Sequence, residues 1–327
     1  MQRSHSRRHG DYEAYLVRRF IPVSARDAYD ALRTLNLELA RLPEMVSNPT
    51  IGRFRMQFWR DTINQTFAGN PPREPISVLL HSAITELTSK RGAASISSLK
   101  FWLLRFINTR EKHMENQPFT SLSALENYAE NTYATLMYMM LTAVPVRSMD
   151  WDHLASHIGK ACGIVATLRG IPVLAAPSLP IQGPSGANVG STRAPALLLP
   201  LDVMAEVGVR EDDVFRNGPN ADGLQDAVFK VATRANDHLI TAREMLENLK
   251  AGRSLGHDYE YEGETGHVYS PGDGNAATAT AFDVLLEAVP AGEYLSRLEN
   301  ANFDPFKTKT SWNLPWKLWQ AARRKQI

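Results

Sequence analysis

The stretch Asp152–Leu174, DHLASHIGKACGIVATLRGIPVL, constrains this chain most. Leu154, Ile158, Ala161, Val165 and Leu168 recur at helical steps and form one apolar stripe. Asp152 is the predicted cap, because its carboxylate can accept from a free N–H of the first turn. Pro172 is the predicted stop, because it has no N–H to give to the preceding turn. A second stripe, Gly159, Gly163, Ala166 and Gly170, bears nothing larger than a methyl group. Such a face allows another backbone or a flat ligand to come very close.

The surrounding sequence is helical in period almost throughout, with few strand signals. Ala28, Leu32, Leu35, Leu39 and Leu42 mark a helix predicted to end at Pro43. Further helices are expected over Ile51–Phe67, Ile76–Leu87, Leu99–Met114 and Ser123–Ala143. Leu224 to Leu249 keeps helical spacing for about seven turns, with Asp222 as its expected cap and Gly252 as its expected end. Phe282–Asn302 and Trp312–Arg324 complete the array. Two stretches interrupt it, at about 175–195 and 252–278, both rich in glycine and longer than ordinary connections. The expectation is an all-α fold, with a single domain over 11–327, two loop insertions and no internal repeat.

Charge and cysteine content exclude several classes. A net charge of +1 gives no global field for nucleic acid. The single cysteine, Cys162, cannot form an intramolecular disulfide, fits a reducing compartment and reads first as a small buried residue. No run of 18 apolar residues is present to span a bilayer. Residues 1–10, MQRSHSRRHG, form a basic, acid-free tail that suits the remnant of a mitochondrial targeting segment, and equally any short basic tail.

Candidate chemistry is sparse. Glu126/Glu130, Asp202/Glu206, Asp222/Asp226 and Asp283/Glu287 are acids four apart, a spacing that puts both on one helix face. Most such pairs are simply solvated; Glu126 and Glu130 are the best metal candidates among them. His153 and His157 share a face but lack a third ligand nearby in the sequence. Neither a glycine-rich phosphate loop nor a nucleophile elbow is present, and no cofactor is expected. Arg53, Arg55, Arg60 and Trp59 lie on one basic-aromatic helix that reads first as structural. Trp312, Trp316 and Trp319 have helical spacing and lead into Arg323, Arg324 and Lys325. They suit either a membrane interface or a terminal helix packed on the core.

Several of these blocks also carry a resemblance. Gly159, Ala161, Leu168 and Arg169 are similar to the second signature helix of the squalene/phytoene synthase family. Pro22 and Arg26 resemble the approach to its first signature helix, which Ala31-Leu32 begins. Arg55, Trp59, Arg60, Gly69 and Pro71 resemble its arginine-tryptophan helix and exit turn. Arg110-Glu111 and Leu199-Pro200, with Asp202 and Gly208, resemble two further segments. The resemblance runs over nearly the whole chain from Asp11, apart from the insertions. It implies an isoprenoid-synthase-type bundle around a central cavity.

The family's metal-binding acids do not match. The first pair falls on Ala40 and Glu44, with Glu44 beyond Pro43; the second falls on Gly170 and Leu174. The family's Gln and Asn fall on Gly163 and Ala166, and an acid after Arg110-Glu111 falls on His113. Prenyl synthases ionise an allylic diphosphate, and Mg²⁺ held by carboxylates neutralises the leaving group. Alanine, glycine and leucine have no lone pair for the metal. Four blocks, Asn36–Ala40, Arg55–Trp59, Leu125–Thr132 and Ala155–Ala161, resemble a branch of mitochondrial complex I assembly factors that also lacks the acids.

That resemblance implies a non-catalytic protein assisting assembly of respiratory complex I on the matrix side of the inner membrane. Its partners would be complex I subunits or other assembly factors, with the membrane surface as a further contact through Trp312, Trp316 and Trp319. Asn36, Gly159, Gly163, Ala166 and Arg169 are the expected lining of the cavity, which a lipid or prenyl ligand could occupy. The alternative is a prenyl transferase acting on allylic diphosphates with displaced metal ligands. A third reading is a lipid-binding or scaffolding protein unrelated to complex I.

Overall fold

A computed structural model describes residues 11–46, 48–91, 97–144, 148–176, 194–253, 281–308 and 311–327. The basic tail and most of both predicted insertions lie outside these residues. The described residues form helices and connecting turns with no strand among them. In chain order the helices are α1 (Tyr12–Val17), α2 (Arg26–Met45), α3 (Pro49–Phe67), α4 (Pro75–Arg91) and α5 (Ser97–Lys112). Then come α6 (Leu122–Ala129), a π-helical turn (Glu130–Ala134), α7 (Thr135–Ala143) and α8 (Met149–Leu174). The rest are α9 (Leu201–Val207), α10 (Glu211–Asn217), α11 (Leu224–Lys250), α12 (Ala288–Asn300) and α13 (Leu314–Arg324).

Helix α8 is the axis of the bundle. Its 26 residues make a rod about 39 Å long, apolar on most sides, as a helix enclosed by others must be. It packs against α11 and α12 on one side and against α6, the π turn and α7 on another. Helices α2 to α5 pack on one another and reach the centre through α7. Leu154, Ile158, Ala161, Val165 and Leu168 are all buried in the common core.

The structure corrects several helix ends. Helix α8 starts at Met149, where Ser148 Oγ accepts from the Asp150 N–H at 3.3 Å. Asp152 therefore sits inside the first turn and does not cap it. The helix also runs through Pro172 to Leu174, and α2 runs through Pro43 to Met45, so Glu44 belongs to α2. In each case proline is the third residue from the end. It removes one hydrogen bond of a turn that is about to finish, a far smaller loss than in a helix middle. Asp222 does not cap α11, because Gly223 takes that place at φ 73°. A side chain on Gly223 would meet the Val207 carbonyl oxygen at 2.6 Å, so conformation and space both require glycine.

The predicted helix Ser123–Ala143 is really three pieces joined end to end. Its π turn inserts one extra residue of arc and swings Ala134 onto α8. Here the small stripe matters. A Cβ on Gly159 would lie 2.2 Å from Ala134 Cα and 2.4 Å from its nitrogen. One on Gly163 would lie 2.4 Å from Ala129 Cβ and 2.9 Å from Ala129 Cα. These are backbone approaches that no rotamer change relieves. Further along, Gly170 is open: the nearest atom to its added Cβ is Leu174 Cδ1, at 3.4 Å.

The two glycines should thus respond oppositely. Gly159→Ala should lower unfolding free energy by about 3 kcal/mol or more through overpacking. Gly170→Ala should change it by less than about 1 kcal/mol, in the stabilising direction, from helix propensity. Urea denaturation of the two variants checks this; equal midpoints would mean that the close approach does not exist in solution.

Candidate functional site

The ends of α2 and α8 converge on a cavity of about 390 Å³. Ala40 and Glu44 border it from α2, and Gly163, Ala166, Arg169, Gly170 and Leu174 border it from α8. The four positions where paired acids were sought in the sequence thus open onto one space, with only Glu44 among them carrying a carboxylate. Arg110, Tyr128, Tyr133, Asn116 and Thr167 add polar groups to the wall, and Pro43, Val173 and Leu198 apolar ones.

Not every residue expected there reaches it. Gly159 is sealed under Ala134, as the close approach above requires. Asn36 is buried behind the cavity, where its Oδ1 accepts from Arg110 Nη2 at 2.7 Å. Arg169 lines the cavity but spends its charge locally, with Nη1 2.6 Å from Glu13 Oε2 and its guanidinium over the Tyr294 ring.

Three of the alternative acid pairs, Glu126/Glu130, Asp202/Glu206 and Asp283/Glu287, are held by other partners. Glu126 Oε1 accepts from Arg234 Nε and faces His238 Nε2, each at 2.7 Å. Burial pushes the Glu126 carboxyl up, but the His238 and Arg234 hydrogen bonds outweigh it and hold the group below its usual range. Glu130 accepts from Tyr138 at 2.5 Å and from Ser156 at 2.6 Å, with Lys160 Nζ at 3.7 Å. Asp202 accepts from the Leu122 N–H at the start of α6. Glu287 receives Tyr29 at 2.8 Å and Arg33 at 3.5 Å, and Asp283 receives Lys325 at 3.1 Å. Among the described residues, no three His, Cys, Asp or Glu side chains come together as metal ligands.

The His153 and His157 rings lie 5.2 Å apart, tilted by 35°, and His157 Nδ1 lies 3.0 Å from His238 Nδ1. An array from Glu126 through His238 to the two α8 histidines therefore crosses the α8–α11 interface. Glu126, His153 and His157 stand out in the sequence, but His238 and the array that joins them do not, because the partners lie 81 and 112 residues apart. Cys162 is partly buried, with Sγ 3.3 Å from the Glu287 carbonyl. Burial pushes its thiol up, so it stays protonated at neutral pH.

On the outside, Leu314 and Leu318 anchor α13 in the core, whereas Trp312, Trp316 and Trp319 point outward at 91%, 58% and 42% exposure. Trp312 precedes the helix proper. Trp316 and Trp319 stack at 4.7 Å, and Arg323 covers Trp319. On α3, Trp59 is buried, Arg60 pairs with Glu111 at 2.6 Å, and Phe54 and Phe58 face outward.

Residues 7–320 match the model of the squalene/phytoene synthase family. "NADH dehydrogenase (ubiquinone) complex I, assembly factor 6" of Rattus norvegicus is 33% identical over 296 residues, covering 90% of this chain and 72% of the relative. The Mus musculus protein of that name is 31% identical over the same extent. Among solved structures, a dehydrosqualene synthase in complex with ligand superposes with a TM-score of 0.66, over 99% of this chain and 95% of that one. At 12% identity it speaks for the fold alone.

His113 holds the place where a third acid was sought. Its ring packs on Phe119 and Tyr128. Burial first, then the charges of Lys112 and Arg110, push the imidazole down from 6.5 to about 4. The folded state therefore binds this proton more weakly than the unfolded state. The stability contribution is complete above about pH 6.5 and is lost as pH falls through about 4. The native protein should lose about 1–2 kcal/mol between pH 7 and 4.5 that His113→Gln does not lose. Denaturation midpoints across that range measure the difference.

Proposed function

The chain belongs to the squalene/phytoene synthase family, and from that premise we propose that it is a non-catalytic member assisting assembly of mitochondrial respiratory complex I. The observation that carries this reading is the match to complex I assembly factor 6 proteins along 90% of the chain. The cavity supports it. Ionising an allylic diphosphate requires several negative charges to be neutralised as the carbon–oxygen bond breaks, and Mg²⁺ on paired carboxylates does that. Ala40, Gly170 and Leu174 offer no oxygen ligand, and Glu44 by itself cannot hold a cluster of ions.

The matrix side of the inner membrane is the proposed location, with a peripheral mode of attachment. No helix among the described residues is long and apolar enough to cross a membrane. Helix α13 instead presents tryptophans beside cations, a pairing that suits the boundary between headgroups and acyl chains. The clients would be complex I subunits or other assembly factors.

Deleting the protein should deplete assembled complex I while the other respiratory complexes persist, as read on native gels. Re-expression of Glu44→Ala should restore assembly. Purified protein with farnesyl diphosphate and Mg²⁺ should release no diphosphate above background. Sustained, chelator-sensitive turnover would return it to the prenyl transferases.

Replacing Trp312, Trp316 and Trp319 with alanine should release the protein from inner-membrane vesicles in a flotation assay. Because these rings are exposed, its denaturation midpoint should move by less than about 1 kcal/mol equivalent. Retention of the folded triple variant on membranes would remove α13 as the anchor.

A further inference from the structure

Arg110 lies in the last turn of α5, only 9% exposed, and no carboxylate pairs with it among the described residues. Its Nη1 donates to Tyr128 Oη at 2.6 Å and its Nη2 to Asn36 Oδ1 at 2.7 Å. Its Nε–H is buried without a partner. Aromatic rings of Phe106, Tyr128 and Tyr133 surround the guanidinium at 5.4–5.7 Å. The neighbouring Glu111 turns away to Arg60. A guanidinium cannot discharge itself by losing a proton. A buried one is ordinarily matched by an anion, since leaving it unmatched costs several kcal/mol. Neutral oxygens and ring faces offset only part of that.

The missing anion has a place to sit. Arg110, Tyr128 and Tyr133 all border the 390 Å³ cavity, which falls within the size range of small-molecule sites. Tyr128 Oη receives its bond from Arg110, so its own proton remains to be given to another acceptor. The phenol is thus a donor polarised by the charge behind it. Away from this polar end, Ala166 and Gly170 leave the floor open, beyond the point where Gly163 packs on Ala129, and Val173, Leu174 and Leu198 make it apolar.

We propose that this cavity is a metal-independent binding site for an amphiphile with an anionic head and an apolar tail. Arg110 supplies the charge, Tyr128 and Tyr133 face the head, and the small-residue floor of α8 receives the tail. The head is a carboxylate or a phosphate monoester, both of which match donors fixed around a guanidinium. The inference rests on the reading that no metal cluster occupies the cavity, and it is independent of any role toward complex I.

Calorimetric titration and thermal shift of the full-length protein in excess EDTA test it. The probes are decyl phosphate, decanoate, decanol and inorganic phosphate. At least one of the first two should bind saturably and raise the melting temperature. Whichever binds more tightly assigns the head, a phosphate or a fatty-acyl carboxylate. Decanol and inorganic phosphate should each bind at least ~tenfold more weakly than the better amphiphile, because each lacks one half of the recognition. Arg110→Gln should weaken the amphiphile by ~tenfold or more. Gly170→Phe should abolish binding by filling the floor. It also covers the case in which Arg110→Gln fails to fold, since nothing but a flexible leucine tip lies near that Cβ.

Absence of binding by both amphiphiles, or binding undiminished in Gly170→Phe, would overturn the site. So would decanol or inorganic phosphate binding as tightly as the better amphiphile. Binding seen only when Mg²⁺ replaces EDTA would overturn it too, and would point to the prenyl transferase alternative. A complex I defect in the deletion strain would be unaffected by any of these results.

Discussion

The approach of the π turn to α8 is the contact on which the rest of the bundle depends. Two backbones meet there with nothing larger than an alanine methyl between them, at Gly159 against Ala134 and Gly163 against Ala129. Dispersion is strongest at such distances, and the interface excludes water from the α8 carbonyls and the α6–α7 backbone together. The extra residue of the π turn brings Ala134 inward and aims Glu130 at Tyr138, Ser156 and Lys160 across the interface. Local helix geometry is given up in exchange for close packing, a use of π turns that is common where two elements must meet.

From that contact the cavity follows. The same stripe that is sealed at Gly159 opens at Ala166 and Gly170, because α6 and the π turn flank only the earlier part of it. Beyond it α2 and α8 present their last turns, each relaxed by a proline, to one space. In a metal-dependent synthase, carboxylates at such positions would gather cations and through them a diphosphate. Here the buried charge at the cavity is the Arg110 guanidinium, with the exposed Glu44 and Arg169 side chains bordering the same space. A buried cation of this kind favours an anion beside it.

A second buried charge cluster fastens the chain's early segment to α2 and the start of α12. Arg33 bridges Asp11 at 2.6 Å and Glu287 at 3.5 Å, while the Tyr29 hydroxyl lies 2.8 Å from Glu287 Oε1 and 3.0 Å from the Ala14 carbonyl. Burial pushes the Glu287 carboxyl up against the pull of Arg33. These groups are matched to one another, unlike Arg110. Breaking one partner would strand the other charge in the core, which is the costly direction.

Periodicity and composition alone determined the helical character, the course of most helices and the small-residue face of α8, because a 3.6-residue repeat is written directly in side-chain polarity. That Ala40, Gly170 and Leu174 carry no carboxylate was also legible, as a fact of residue identity; that they and Glu44 border one cavity was not. Helix ends were less so. Pro43 and Pro172 read as stops, yet a proline in a final turn costs one bond and packing of the flanking turns decides the outcome. Tertiary structure alone decided which part of the glycine stripe is packed and which is open, because that depends on a π turn 25 residues away in the chain (Ala134 against Gly159). It alone turned the three tryptophans outward, since spacing cannot say which face of α13 meets the core. And it alone left Arg110 without a carboxylate beside a cavity: Asn36, Arg110 and Tyr128 come from three helices, and their meeting is set by packing, not by any local pattern.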